Sequence, residues 1–158
     1  MRMSIFRTCA ALALALLGSQ TIALAQNSNS LEGTWDVSVT VVNCQTGAPI
    51  RTVRSLQMFS HDGSFTETAN TFLRGSSVGT WARNGGQTFG ATYWFFRYTP
   101  TGSFASIARA LDSVSLSQDG STFTASGVIQ DYDASNNLIS TGCFTHAAKR
   151  LTAVPPEN

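Results

Sequence analysis

One segment of the chain matches a motif of nucleophilic catalysis. Residues 75–79 read Gly-Ser-Ser-Val-Gly, the Gly-x-Ser-x-Gly pattern in which a sharp strand-to-helix turn lifts a serine over an oxyanion hole. The residues that follow, 78–81, predict a strand and not the helix this turn requires. His61 and His146 are the two histidines that could act as the base. We therefore interpret the segment as a polar loop and predict no catalytic residue.

The two histidines suggest binding chemistry more than metal chemistry. Side chains alternate along a strand, which places His146 on the same inward face as Phe144 and Arg150. A neutral imidazole there could orient a ligand carboxylate or carbonyl, or it could be a core histidine bonded to a hydroxyl of a neighbouring strand. His61 stands beside a tight turn and is expected in solvent. No Cys/His cluster is present, so neither a metal nor another cofactor is predicted.

Charged and aromatic residues also occur within the predicted strands, and the face that each one occupies decides whether it meets solvent or the interior. We expect Arg54, Glu67, Arg97 and Arg109 to face solvent, whereas acid–base catalysis would need two groups that converge on one cavity. The segment 93–96 holds four consecutive aromatic residues, two for each face of a strand. One pair is predicted to line the interior, and the other to form surface cover or a contact patch.

The first 25 residues predict a cleaved secretory signal peptide. Arg2 and Arg7 precede an apolar run at 10–17, and residues 23–25 (Ala-Leu-Ala) suit a signal peptidase. The run is shorter than the roughly 20 residues that span a bilayer. We therefore expect a secreted or periplasmic protein with no membrane anchor after cleavage. The remaining 133 residues divide into a polar lead-in (26–30), one domain (31–152) and a short tail (153–158).

Removal of the leader also simplifies charge and cysteine content. Eight basic residues remain against nine acidic ones, a formal charge of −1, which offers no electrostatic surface for nucleic acid. Two cysteines remain, Cys44 and Cys143. In an oxidising compartment they are expected to form a disulfide, which could stabilise the fold by up to about 4.7 kcal/mol. The alternative is two free thiols.

Alternating apolar and polar residues between turn signals predict eight strands. Asn84-Gly85-Gly86 and Asp119-Gly120 are typical hairpin turns. The apolar alternation shifts between Ala110 and Val114, which predicts a β-bulge there. The predicted strands are 33–44, 50–60, 65–70, 78–83, 89–99, 104–117, 123–133 and 138–151.

The first and last strands are predicted to pair. An antiparallel register that places Cys44 opposite Cys143 also brings Trp35 within two residues of Arg150. Such pairing closes a sheet into a barrel and removes the open edges that a sandwich would leave. The predicted fold is therefore all-β, a single up-and-down antiparallel eight-stranded barrel.

Gly33-Thr34-Trp35 at the start of such a barrel resembles the Gly-x-Trp motif of the lipocalins and the wider calycin superfamily. In that family a basic residue after the last strand lies over the tryptophan, and Arg150 occupies the matching place. The resemblance implies that Trp35 and Arg150 close one end of the barrel and that the other end admits an apolar ligand. Secreted bacterial protease inhibitors use a similar barrel with a filled interior.

Three functions therefore remain open. The first is an extracytoplasmic protein that binds a small apolar or amphipathic ligand; the second is a protein-interaction module with a packed interior, such as a protease inhibitor; the third is a cyclase- or isomerase-type barrel enzyme. An eight-stranded barrel can be filled by side chains or can hold one small ligand. The residues predicted to line a ligand cavity are Val37, Val39, Val41, Phe89, Tyr93, Phe95, Phe144 and His146.

Overall fold

The structure of the chain, a computed structural model, describes residues 29–153. The predicted signal peptide, most of the lead-in and residues 154–158 lie outside this range. The described residues form eight strands: β1 (Gly33–Val42), β2 (Pro49–Phe59), β3 (Ser64–Ala69), β4 (Ser77–Gly85), β5 (Thr88–Tyr98), β6 (Phe104–Leu116), β7 (Thr122–Tyr132) and β8 (Leu138–Arg150). Within this range no helix has the length and apolar character of a membrane span.

The eight strands form a closed antiparallel barrel. Each strand pairs with the next one along the chain, and β8 pairs back onto β1. The fold predicted from the sequence is confirmed. Because every strand has two neighbours, the barrel leaves no unpaired sheet edge.

The pairing of β1 with β8 places Trp35 opposite Arg150 and Val42 opposite Cys143. Cys44 lies just beyond the end of β1, with its Cα atom 5.2 Å from that of Cys143, and the two residues form a disulfide. The predicted disulfide is therefore confirmed. Cys44 is two residues beyond the position directly opposite Cys143, which Val42 occupies as the last paired residue of β1.

The bulge predicted between Ala110 and Val114 is wrong. This stretch of β6 pairs without interruption with both β5 and β7, and the register shifts instead near Ala105. The apolar alternation is broken because Asp112, not Leu111, occupies the inward position between Ala110 and Val114. The polar residue at an inward position, Asp112, was therefore the cause of the apparent shift in alternation, and the strand itself is regular there.

Aromatic packing closes one end of the barrel. Trp35 is fully buried, its indole nitrogen donates to the Leu31 carbonyl at 3.0 Å, and its ring meets Phe123 edge-on at 4.8 Å between centroids. The guanidinium carbon of Arg150 lies 4.2 Å from the Trp35 ring centroid, within the range of a cation–π contact. Arg150 also donates to the Gly120 carbonyl at 2.7 Å, which ties the start of β1 to the turn before β7.

Candidate functional site

A cavity of about 340 Å³ occupies the opposite end of the barrel. Its walls come from the end of β1, the start of β2, the loop between β3 and β4, and the adjoining parts of β5 to β8. Most of the wall is apolar. The apolar residues that line it are Val39, Val41, Val53, Leu73, Phe95, Ala105, Ile129 and Phe144.

Two polar side chains stand among these apolar walls on the inner side of the cavity. The Arg74 guanidinium carbon lies 3.4 Å from the ring centroid of Phe95. Tyr93, two residues earlier on β5, packs its ring 4.6 Å from that of Phe65. Burial, together with the carboxyl group of Asp112, raises the pKa of Tyr93 well above its usual value, so the phenol is a hydrogen-bond donor at all ordinary pH.

Arg74 is fixed by a buried ion pair with Glu67. Its guanidinium also donates to the Ser77 hydroxyl at 2.5 Å, and Ser77 donates in turn to Glu67 at 2.7 Å. Gln57 reaches the second Glu67 oxygen at 3.5 Å. The expectation that Glu67 faces solvent is wrong, since it is 2% exposed. Its charge is tolerated inside the barrel because an arginine, a serine and a glutamine face it.

The same network explains the Gly-Ser-Ser-Val-Gly segment. Ser77, the central serine of that pattern, is the first residue of β4, and no helix follows it. Its hydroxyl is fully buried and engaged with Glu67 and Arg74. The segment therefore serves the Glu67–Arg74 pair and does not form a nucleophile elbow.

Asp112 and His146 face each other inside the barrel. The Nδ1 atom of His146 lies 3.4 Å from a carboxyl oxygen of Asp112, and the imidazole stacks on Phe144 at 5.0 Å. Burial lowers the pKa of His146 to about 4. Burial, with the charge of Glu67, raises the pKa of Asp112 well above its usual value. Near neutral pH the imidazole is therefore unprotonated, while the carboxyl holds its proton to a higher pH than an ordinary aspartate does.

Several buried polar atoms of this region have no hydrogen-bond partner among residues 29–153. The expected bond between His146 and a hydroxyl of a neighbouring strand is not formed. Buried polar atoms are usually paired, so this interior is incompletely hydrogen-bonded; of the residues concerned, Arg74 also lines the cavity. These atoms are Ser55 Oγ, Gln57 Oε1, Arg74 Nε, Asp112 Oδ1 and both ring nitrogens of His146.

A second ion pair lies at the mouth of the cavity. Arg97 donates to Asp131 at 2.5 Å, and Ser140 donates to the other oxygen of Asp131 at 2.9 Å. Arg97 is half-buried and lines the cavity, contrary to the expectation that it faces solvent. Arg54 is largely exposed and pairs with Asp36 on the outer face, as expected.

Five of the eight residues predicted to line a cavity do line it: Val39, Val41, Tyr93, Phe95 and Phe144. The other three are buried elsewhere. Val37 and Phe89 lie within the packed core, and His146 lies against Asp112. Of the four consecutive aromatic residues, Tyr93 and Phe95 point inward while Trp94 and Phe96 are partly exposed outside.

The sequence interpretation missed the polar residues that fill the middle of the barrel, above all Arg74 and Asp112. A signal for Asp112 was present, because it continues the inward alternation of Ala108, Ala110 and Val114 on β6. His61 is exposed beside its turn and lies 3.0 Å from Glu32. Residues 29–153 contain no group of three or more acidic, histidine or cysteine side chains placed to hold a metal ion.

No protein-family model matches the chain, and no curated protein matches its sequence. The site geometry is therefore the basis for the functional argument.

Proposed function

We propose that the protein is an extracytoplasmic, lipocalin-like binding protein that holds a small, largely apolar molecule in the barrel. The observation that carries this proposal is the cavity of about 340 Å³ at the end opposite the Trp35–Arg150 contact. Its volume falls at the lower end of the range of about 300–1,000 Å³ usual for small-molecule sites.

The composition of the cavity wall supports the same function. Apolar walls hold a ligand by burial, and a few polar groups orient it. Here Arg74 and Tyr93 stand on the inner side, and Arg97 and Asp131 at the mouth. The disulfide between Cys44 and Cys143 is compatible with an oxidising compartment, in keeping with export.

The direct test is binding of a polarity-sensitive naphthalene fluorophore, followed by its emission and by calorimetry. Val41 lines the cavity and is half-buried, so Val41→Trp should fill part of the space and abolish binding without unfolding the barrel. Val78 is 63% exposed on the outer face, so Val78→Trp is the matched control and should bind as the wild type does. Equal binding by both variants would place the fluorophore outside the cavity and refute the proposal.

The Asp112–His146 pair favours an isomerase- or cyclase-type enzyme as a second candidate. A carboxyl with a raised pKa beside an imidazole with a lowered pKa is a suitable pair for moving a proton. Neither residue lines the cavity, which is why binding ranks first. The enzyme candidate predicts that an enolisable ketone takes up deuterium from D₂O faster with the wild type than with Asp112→Asn. The protein-interaction alternative supposes a filled interior and receives no support from the cavity.

A further inference from the structure

We propose that the ligand carries an uncharged hydrogen-bond acceptor, such as a ketone or ester carbonyl, at the end that enters the barrel first. The hydroxyl of Tyr93 donates to this acceptor, and the guanidinium of Arg74 supplies a second donor. This inference rests on the proposed function, because it names the chemistry of a ligand in the same cavity.

Tyr93 is a hydrogen-bond donor without a partner in the described part of the chain. Its side chain is 3% exposed and lines the cavity. Its ring packs on Phe65, and its hydroxyl forms no hydrogen bond with residues 29–153. An unpaired hydroxyl that faces an apolar cavity is destabilising, and a ligand that accepts its hydrogen bond removes this cost.

Arg74 is held rigidly beside the same space. Glu67 and Ser77 engage one of its terminal nitrogens, and the face of its guanidinium packs on Phe95. Its other terminal nitrogen, Nη1, forms no hydrogen bond with residues 29–153, and the side chain lines the cavity. The side chain therefore retains donor capacity while its position is already fixed, which lowers the entropic cost of engaging a ligand.

The charges around these donors favour a neutral acceptor over a carboxylate. The charge of Arg74 is already balanced by Glu67, and that of Arg97 by Asp131. Arg51 also lines the cavity, but it is exposed, so solvent screens its charge from the inner side. His146 is uncharged near neutral pH because burial lowers its pKa to about 4, and burial also raises the pKa of Asp112, so neither residue offers a positive charge to a carboxylate. A ligand carboxylate on the inner side of the cavity would be a buried charge without a counter-ion, which is costly. A carbonyl oxygen accepts the same hydrogen bonds without that cost.

Three naphthalenes of matched size test this inference. 2-Acetylnaphthalene carries the ketone, 2-isopropenylnaphthalene replaces its oxygen with a methylene group, and 2-naphthoate carries a carboxylate. Isothermal titration calorimetry of the wild-type protein with each compound at pH 7 gives the three dissociation constants. We expect the ketone to bind at least about ten-fold more tightly than either of the other two.

Substitution of Tyr93 locates the donor. Tyr93→Phe removes a hydroxyl that no described residue uses, so the fold should be unchanged. The ketone should lose several-fold in affinity while the isopropenyl compound binds as before. Tyr132→Phe is the matched control, because the Tyr132 hydroxyl bonds to Gln130 and Tyr132 does not line the cavity; it should keep the full preference for the ketone.

The outcomes separate this inference from the proposed function. If all three compounds bind equally, or if 2-naphthoate binds most tightly, the neutral-acceptor inference is overturned while the binding function stands. If Tyr93→Phe keeps the full ketone preference, the assignment of Tyr93 is overturned. If none of the compounds binds and the naphthalene fluorophore also fails, the proposed function itself is refuted.

Discussion

The imidazole of His146 and the carboxyl group of Asp112 lie 3.4 Å apart inside the barrel, and together they hold one proton. Burial lowers the pKa of His146 from its ordinary 6.5 to about 4, and burial raises the pKa of Asp112 from its ordinary 3.8. Above about pH 4, and for as long as its raised pKa keeps Asp112 protonated, the folded pair therefore holds its proton on Asp112 and not on His146. The unfolded chain also holds one proton between about pH 4 and 6.5, but on the histidine.

This exchange predicts that the pair makes no net contribution to the pH dependence of stability from about pH 4 upward, within the range below pH 6.5 in which Asp112 stays protonated. In Asp112→Asn only His146 remains, and below pH 6.5 the unfolded chain binds a proton that the folded protein does not. Stability should then fall as the pH falls from about 6.5 to 4, by about 3 kcal/mol relative to the wild type.

The opposite slope is expected for His146→Gln. Only Asp112 then remains, and above pH 3.8 the folded protein keeps a proton that the unfolded chain has lost, so stability falls as the pH rises. Urea denaturation of the three proteins at several pH values measures both slopes. Parallel profiles for both variants and the wild type would show that neither residue has the shifted pKa described here.

Loss of the closed-end tryptophan should be severe. Trp35 is completely buried against Phe123 and Arg150, so we expect Trp35→Ala to lower the free energy of unfolding by about 3–5 kcal/mol. Trp94 is partly exposed on the outer face, and Trp94→Ala should change it by only about 0.5 kcal/mol. Similar urea midpoints for the two variants would contradict the role of Trp35 in the core.

The disulfide should contribute substantially to stability because it joins residues 99 positions apart. Replacement of both Cys44 and Cys143 by alanine should cost about 2–5 kcal/mol. Thermal unfolding of the double variant, compared with the wild type before and after reduction, measures this contribution. Non-reducing peptide mapping is the accompanying control, and free thiols at both positions in protein from an oxidising compartment would rule out the bond.

The barrel could be predicted because its signals are local or lie at matched positions of two strands. Trp35, Val37 and Val39 alternate with polar residues, which identifies β1 and its inward face. Trp35 and Arg150, with the two cysteines, then relate the first strand to the last. Each signal depends on the face a side chain occupies, and strand periodicity determines that face.

The extent of the cavity could not be predicted in this way. Periodicity gives the face of a side chain but not its height along the barrel axis. Val37 and Val39 share one face and both belong to the packed core, yet Val39 also lines the cavity and Val37 does not. The difference comes from distant aromatic rings such as Phe59 and Phe123, which fill one end.

The polar interior escaped prediction for a related reason. A glutamate in a strand usually faces solvent, and Glu67 is buried because Arg74 approaches it from a loop. Loop residues have no periodicity from which to infer their direction. The ion pair therefore depends on a tertiary arrangement that the local sequence pattern does not encode.

That ion pair supplies the last prediction. Glu67→Gln removes one charge and leaves Arg74 without its partner in a largely buried position, so we expect it to cost about 3–5 kcal/mol. Glu67→Gln combined with Arg74→Met removes both charges and should be less destabilised than Glu67→Gln alone. Urea denaturation of the two single variants and the double variant gives the coupling energy.

Asp36 offers a matched control on the barrel exterior. It pairs with Arg54, whose side chain is 70% exposed, and such exposed pairs contribute little to stability. Asp36→Asn should therefore have little effect. If Glu67→Gln were equally mild, or if the double variant were no more stable than Glu67→Gln, the Arg74 charge would not depend on Glu67. The charge balance on which the neutral-acceptor inference relies would then be wrong.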